Sequence, residues 1–180
     1  DIGLIGLPNA GKSTLLSRLT MARPKIDNYP FTTLIPNLGV ISFDDEKTLV
    51  MADIPGLVEG ASSGRGLGDR FLRHIERTNL LLHILDITYK SGQDILEDFL
   101  TLRHEMGTFA PALVDKPFFV AINKIDLCGP EHRDLDELRK AREDRGVESF
   151  PISALTGEGL EEMKGTIVHR WDAGEEDCFS

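Results

Sequence analysis

The nine residues Gly6-Leu7-Pro8-Asn9-Ala10-Gly11-Lys12-Ser13-Thr14 constrain this chain more than any other segment. They follow the apolar run Ile2-Gly3-Leu4-Ile5 and lead into Leu15-Leu16-Ser17-Arg18-Leu19, so a glycine-rich turn stands between a strand and a helix. Glycine lets the backbone reach positive φ and wrap a phosphate with its N–H groups, and the helix N-terminus adds positive potential. In that setting Lys12 reaches β- and γ-phosphates and the Ser13 hydroxyl ligates Mg²⁺. An idle turn has no use for a Lys-Ser pair at that spacing.

The base is specified by Asn123-Lys124-Ile125-Asp126, which follows the apolar strand Phe118–Ile122. A carboxylate at Asp126 accepts two hydrogen bonds, and guanine offers an N1–H and a 2-amino group side by side. Adenine presents an unprotonated N1 and no 2-amino group, so it leaves the carboxylate facing an acceptor, and a buried polar mismatch is costly. The Lys124 stem can lie over the base, and the Asn123 side chain can tie this loop to the phosphate loop. Alone the tetrapeptide reads as a solvated loop; after a buried strand and downstream of the phosphate loop it reads as a guanine site.

Weaker segments fit the same ligand. Asp53-Ile54-Pro55-Gly56 ends the strand Thr48–Ala52; Asp53 is expected to hold the metal through water, and the Gly56 amide to meet the γ-phosphate. In the loop Tyr29-Pro30-Phe31-Thr32-Thr33-Leu34-Ile35, Thr33 is the threonine expected to complete the Mg²⁺ shell. Ser153-Ala154-Leu155 follows a short strand at Glu148–Ile152, and its backbone amides are expected to touch the guanine O6. All of these lie where strand C-termini meet loops, the ligand-binding edge of an open α/β sheet.

Strand-like runs at Ile2–Gly6, Leu38–Phe43, Thr48–Asp53, Leu80–Asp86, Pro117–Asn123 and Glu148–Ile152 alternate with helix-like runs. The latter are Lys12–Leu19, Asp69–Arg77, Gln93–Met106, Glu131–Arg145 and Leu160–Arg170. Asp44-Asp45-Glu46 is a tight turn, making the second and third strands an antiparallel hairpin. The remaining strands should be parallel, in a six-stranded sheet with helices on both faces, a three-layer α/β architecture. Residues 1–171 read as one domain and 172–180 as a frayed tail. Residues 23–36 and 54–68 read as switch segments that the γ-phosphate holds and its loss releases.

Lys and Arg number 20 against 30 Asp and Glu, a net charge of −10, which argues against a general nucleic-acid binder. The local exception is Gly64–Arg77, with Arg65, Arg70, Arg73, His74 and Arg77, either a mixed-charge helix face or a nucleotide-sensitive contact surface. Cys128 and Cys178 form no disulfide framework, which points to a reducing compartment and the cytoplasm. No run is long enough to span a membrane. The five histidines lack metal-ligand spacing, and His83, inside an apolar strand, reads as a core histidine with its nitrogens satisfied. The domain is expected to be a monomer.

The motifs together resemble the translation-factor class of GTPases, and the details resemble the Obg family. That resemblance rests on residues 6–14, on 29–39 and on 53–61, and is extended by Gly66-Leu67-Gly68 and by 70–78. Asp126 separates the chain from the related YchF type, whose fourth motif ends in Glu and which favours ATP. The resemblance implies a GTP/GDP switch taking part in large-ribosomal-subunit assembly and in stringent-response signalling through guanine tetraphosphate. Obg proteins also carry a glycine-rich domain ahead of the G domain, so these residues read as an excised G domain.

Phosphoryl transfer needs positioning and charge neutralisation, which Lys12, Thr33, the Gly56 amide and the metal ligands Ser13, Thr33 and Asp53 are suited to supply. Ras-type enzymes place a glutamine after the Asp-x-x-Gly; here Leu57 stands there, and an aliphatic side chain orients no water. Turnover is therefore expected to be slow, on the order of 10⁻⁴ to 10⁻² s⁻¹. Glu59 and Arg65 are the nearest substitutes for a water-positioning group and an arginine finger. Asn9 either caps its turn or helps, through its carbonyl, to hold K⁺ against the β- and γ-phosphates. A nucleotide sensor with negligible turnover is the competing reading; a P-loop kinase leaves Asn123–Asp126 without a role.

Overall fold

The computed structural model describes residues 1–20, 37–42, 48–53, 78–88, 92–109, 111–128 and 147–177. Six strands form one sheet in the order β2-β3-β1-β4-β5-β6: β1 is Ile2–Gly6, β2 Leu38–Ser42, β3 Thr48–Asp53, β4 Leu80–Asp86, β5 Phe118–Asn123 and β6 Ser149–Pro151. β2 and β3 pair antiparallel and every other pair is parallel, as the hairpin reading requires. The helices are α1 (Lys12–Leu19), α2 (Gly92–Phe109) and α3 (Leu160–Asp177), with 3-10 turns at Pro111–Leu113 and Ile125–Leu127.

Burial follows position in the sheet. β1 is buried at every residue, and β4 everywhere except the half-buried Asp86, as expected of central strands covered on both faces. β2 and β3 alternate buried with exposed residues, so the hairpin keeps one face toward solvent. Ile2, Leu4, Leu82 and Ile84 meet Leu15 and Leu16 of α1 and Met163 and Ile167 of α3 in one core layer. Ile5, Leu81 and Leu85 meet Ile95, Leu102 and Met106 of α2 in the other. β1 lies between β3 and β4, so the chain leaves its C-terminal end where the strand order reverses direction, the crevice in which such sheets bind ligands.

Several boundaries differ from the sequence reading. β5 begins at Phe118, because Pro117 has no N–H to donate; its carbonyl still accepts Leu81 N at 3.0 Å. β6 is shorter than Glu148–Ile152, although Val120 N→Glu148 O at 3.0 Å and Ile152 N→Ile122 O at 2.8 Å continue the hydrogen bonding at both ends. α2 runs past Met106 to Phe109, with Pro111 as the stop. α3 runs past Arg170 to Asp177; Ala173, Glu175 and Glu176 are good helix formers. Phe43, the Asp44–Glu46 turn, the helices expected at 69–77 and 131–145, and Cys178 lie outside the described residues.

His83 departs in a more informative way. It is fully buried, as a core histidine should be, but neither ring nitrogen has a hydrogen-bond partner among the described residues. Its ring lies 5.0 Å from that of Phe118 and 5.7 Å from that of Phe99, with the Arg103 guanidinium 4.7 Å from the Phe118 ring. Burial, helped by the Arg103 charge, lowers its pKa to about 3. Cys128 is half-buried and forms no disulfide, its thiol donating to Lys124 O at 3.9 Å. Among the described residues no helix is long and apolar enough to cross a membrane.

Candidate functional site

The phosphate end is built by the turn between β1 and α1. Gly6 is held so closely against β4 that a Cβ there would sit 2.6 Å from the Ile84 carbonyl oxygen. Ala10 N donates back to Leu7 O at 3.2 Å, and the turn carries two positive φ angles, 63° at Asn9 and 100° at Gly11. Gly11 is also the N-cap of α1; no side chain caps that end and its first turn holds no acidic residue, which leaves its amides and positive potential uncompensated. Lys12 Nζ arches back to donate to Gly6 O at 3.0 Å and Leu7 O at 3.3 Å. Pro8, Asn9, Ser13 and Thr14 are exposed and Ala10 is buried.

Asp53, at the C-terminal end of β3, comes to this loop from forty residues away in sequence. Its backbone N donates to Asn37 O at 2.9 Å, and its Oδ2 accepts the Ser13 hydroxyl at 2.9 Å. Asp53 is only 4% exposed, yet its Oδ1 has no partner among the described residues. A buried carboxylate oxygen left unsatisfied beside a serine hydroxyl is a donor set suited to a small, hard cation. Serine and aspartate thus fit the metal expected from sequence.

The base end is built by the loops after β5 and β6, and one side chain joins it to the phosphate loop. Asn123, 2% exposed, donates from Nδ2 to Ala10 O at 2.8 Å and accepts Ala154 N on Oδ1 at 2.9 Å. Gly11 packs against the same carboxamide, so a methyl group there would collide with Nδ2. Lys124 takes a left-handed φ of 72°, and Ile125 N donates to Ile152 O at 3.3 Å, which turns Asp126 outward into solvent. The fully buried Ser153 donates its hydroxyl to Asp126 Oδ1 at 2.5 Å and accepts Thr156 N at 3.0 Å.

The Ser153 and Ala154 amides, expected to face guanine O6, are engaged within the protein, with Glu158 O at 3.0 Å and Asn123 Oδ1 respectively. An arriving O6 must therefore share or displace those acceptors. Leu155 is 69% exposed on the rim. Phe31, Thr32, Thr33, Leu34, Ile35, Ile54, Pro55 and Gly56 lie outside the described residues, as do Leu57, Glu59 and Arg65.

Two contacts escaped the sequence reading. Lys124 Nζ is bound to Asp86 Oδ2 at 2.6 Å, at the end of β4. Burial pushes the Asp86 carboxyl up, but the bonds from Lys124 and Thr88 outweigh it and hold it below its usual value. Arg18, on α1, donates to Thr156 O at 2.8 Å and braces the Ser153–Leu155 turn from outside. A carboxylate ending an apolar run is a signal for the first; nothing in sequence marks the second.

A family model described as "50S ribosome-binding GTPase" matches residues 1–124. GTPase Obg of Syntrophotalea carbinolica is 53% identical over 168 residues, which are 93% of this chain and 47% of that protein. GTPase Obg of Aquifex aeolicus is 52% identical over 172 residues, 96% of this chain and 50% of that protein. The chain thus spans half or less of the length of these curated relatives. Among solved structures, Aquifex aeolicus Era bound to GDP·AlF4⁻ is similar at a TM-score of 0.67 and 27% identity, covering 93% of this chain and 55% of that one. The G domain of the T. maritima FeoB iron transporter, at 23% identity and a TM-score of 0.62, covers 93% of this chain and 96% of that one, a likeness of fold.

Proposed function

Because this chain belongs to the 50S ribosome-binding GTPase family and is a G domain of the Obg type, we propose that it is a slowly hydrolysing GTP/GDP switch. Nucleotide lies between the loop 7–14 and the loops 123–126 and 153–155. The observation that carries this reading is the Asn123 carboxamide, which bonds the phosphate loop on one side and the base loop on the other.

Ser13, Thr33 and, through water, Asp53 would hold Mg²⁺. The metal would supply charge neutralisation on the β- and γ-phosphate oxygens. Lys12 is already tethered over the loop by Gly6 O and Leu7 O, and reaches the same oxygens by extending its stem. The uncapped amides of α1 face the phosphates, and the Gly56 amide meets the γ-phosphate. Asp126, oriented by Ser153, accepts guanine N1–H and the 2-amino group. A site built around such a pair rejects the ligand lacking it by about 10⁴-fold.

Leu57 leaves the attacking water without a hydrogen-bonding side chain, so basal turnover is slow and an activator completes the site. The family description supports the large ribosomal subunit as partner, and two cysteines without a disulfide framework support the cytoplasm as location. The same Leu57 favours a second reading, a sensor that reports nucleotide state without useful turnover. Single-turnover hydrolysis with and without ribosomal subunits separates the two: strong acceleration marks an activated enzyme, and none marks a sensor.

The base assignment is tested by calorimetry in Mg²⁺ buffer with GDP, GTP and ATP. Guanine nucleotides are expected to bind and ATP not, while Asp126→Asn shifts preference to xanthine nucleotides. Equal affinity for ATP and GTP, or an Asp126→Asn variant with undiminished GTP affinity, would overturn the reading.

A further inference from the structure

We propose that Asp86 is a positioning residue for the base: its carboxylate anchors the Lys124 ammonium so that the lysine stem stands as a fixed wall over the guanine plane. The inference rests on the guanine reading above. The register of the two strands sets up the contact. β4 and β5 run parallel with Asp86 opposite Asn123, so the Asp86 side chain lies one residue from Lys124 at the shared C-terminal edge of the sheet.

The carboxylate is held at both oxygens. Oδ2 accepts Lys124 Nζ at 2.6 Å and Oδ1 accepts Thr88 N at 2.8 Å, so it cannot follow a wandering ammonium. Both side chains are less than one-third exposed, 29% for Lys124 and 23% for Asp86, which limits solvent screening of the pair. A lysine stem is otherwise among the most mobile of side chains, and a mobile stem makes a poor surface for a planar ligand. The Lys124 backbone is already committed by its left-handed φ of 72° and by Leu127 N→Lys124 O at 3.0 Å. Fixing the far end of the side chain at Asp86 leaves the methylenes between as a defined surface.

Asp86 is not needed to end the sheet. Ile87 N donates to Asn123 O at 3.1 Å, so β4 and β5 stay joined past Asp86 through the backbone. That separates anchoring from folding and selects the variant. Asp86→Asn keeps an oxygen for Thr88 N but replaces the charged oxygen facing Lys124 with an amide of similar size. Lys124→Met keeps a stem and removes the ammonium.

In the 180-residue chain, GDP dissociation is measured by displacement of a fluorescent GDP analogue for wild type, both single variants and the double variant, alongside the melting temperature. Asp86→Asn is expected to speed dissociation roughly tenfold, the scale of one charged hydrogen bond. In the Lys124→Met background the same change is expected to add nothing, because the group it anchors is gone. An Asp86→Asn effect of equal size in both backgrounds, or no change in dissociation on a folded variant, overturns the proposal. A wild-type chain that binds ADP as tightly as GDP overturns the guanine reading itself, whereas guanine-selective binding with a silent Asp86→Asn overturns only this inference.

Discussion

Replacing His83 with leucine isolates the energetic consequence of a histidine buried without partners. The neutral ring sits among Phe99, Phe118 and Arg103 with neither nitrogen paired among the described residues, and its pKa falls from 6.5 to about 3. The unfolded chain takes up the proton and the folded chain does not. This depressed base therefore leaves stability intact above pH 6.5 and erodes it as pH falls from 6.5 toward 3. At pH 5 the loss is about 2 kcal/mol, equivalent to roughly 6 °C in melting temperature for a domain of this size. The two proteins differ at this one side chain, so the difference between wild type and His83→Leu reports the ring. Urea unfolding at pH 5, 6, 7 and 8 is expected to show the two curves diverging by about 2 kcal/mol between pH 8 and pH 5. His83→Leu should be at least as stable as wild type at pH 8, since two unpaired buried nitrogens are removed. Parallel pH profiles would refute the reasoning.

Asn123→Ala strands a buried carbonyl at Ala10 and a buried amide at Ala154, and should cost about 3 kcal/mol in nucleotide-free urea unfolding; a loss below about 1 kcal/mol would show that the two loops are joined by other means. Gly11→Ala forces a side chain into φ 100° against the Asn123 amide, adding about 1–2 kcal/mol of backbone strain, and should abolish measurable GDP binding by calorimetry while the circular dichroism spectrum is retained. Asn9 already has a left-handed φ of 63°, so Asn9→Gly removes its side chain without straining the turn. If that side chain supplies the carbonyl that helps hold K⁺, wild-type GTP hydrolysis should be faster in K⁺ than in Na⁺ buffer and the Asn9→Gly rate should not distinguish them.

The sheet was legible in sequence because its signals are local. Alternation in β2 and β3, and continuous apolar runs in β1 and β4, each fix how many faces of a strand are covered. The phosphate loop was legible for the same reason, since strand, glycine turn and helix are contiguous. The tie from Asn123 to the phosphate loop was also legible, as part of its motif, but the other contacts between distant segments were not. Asp53 and Ser13 are expected from sequence to share a metal, but their direct hydrogen bond, beside an Oδ1 with no partner among the described residues, exists only after β3 docks on β1. Asp86 looked like a mere strand ending, because its partner is set by the β4–β5 register rather than by spacing. Arg18 and Thr156, at |i−j| of 138, had no sequence signal at all. His83 was placed correctly in the core, but whether a buried ring nitrogen finds a partner depends on neighbours from α2 and β5.

The doubly bonded Asn123 carboxamide has a thermodynamic consequence for ligand fragments. Its oxygen and nitrogen are fixed in one rigid plane, so any shift in one loop is felt by the other. Pyrophosphate alone and guanosine alone should each meet a cleft only partly assembled, and whichever arrives first lowers the ordering cost for its counterpart. Intact nucleotide collects that reciprocal gain within a single molecule, so its affinity should exceed what the severed pieces suggest.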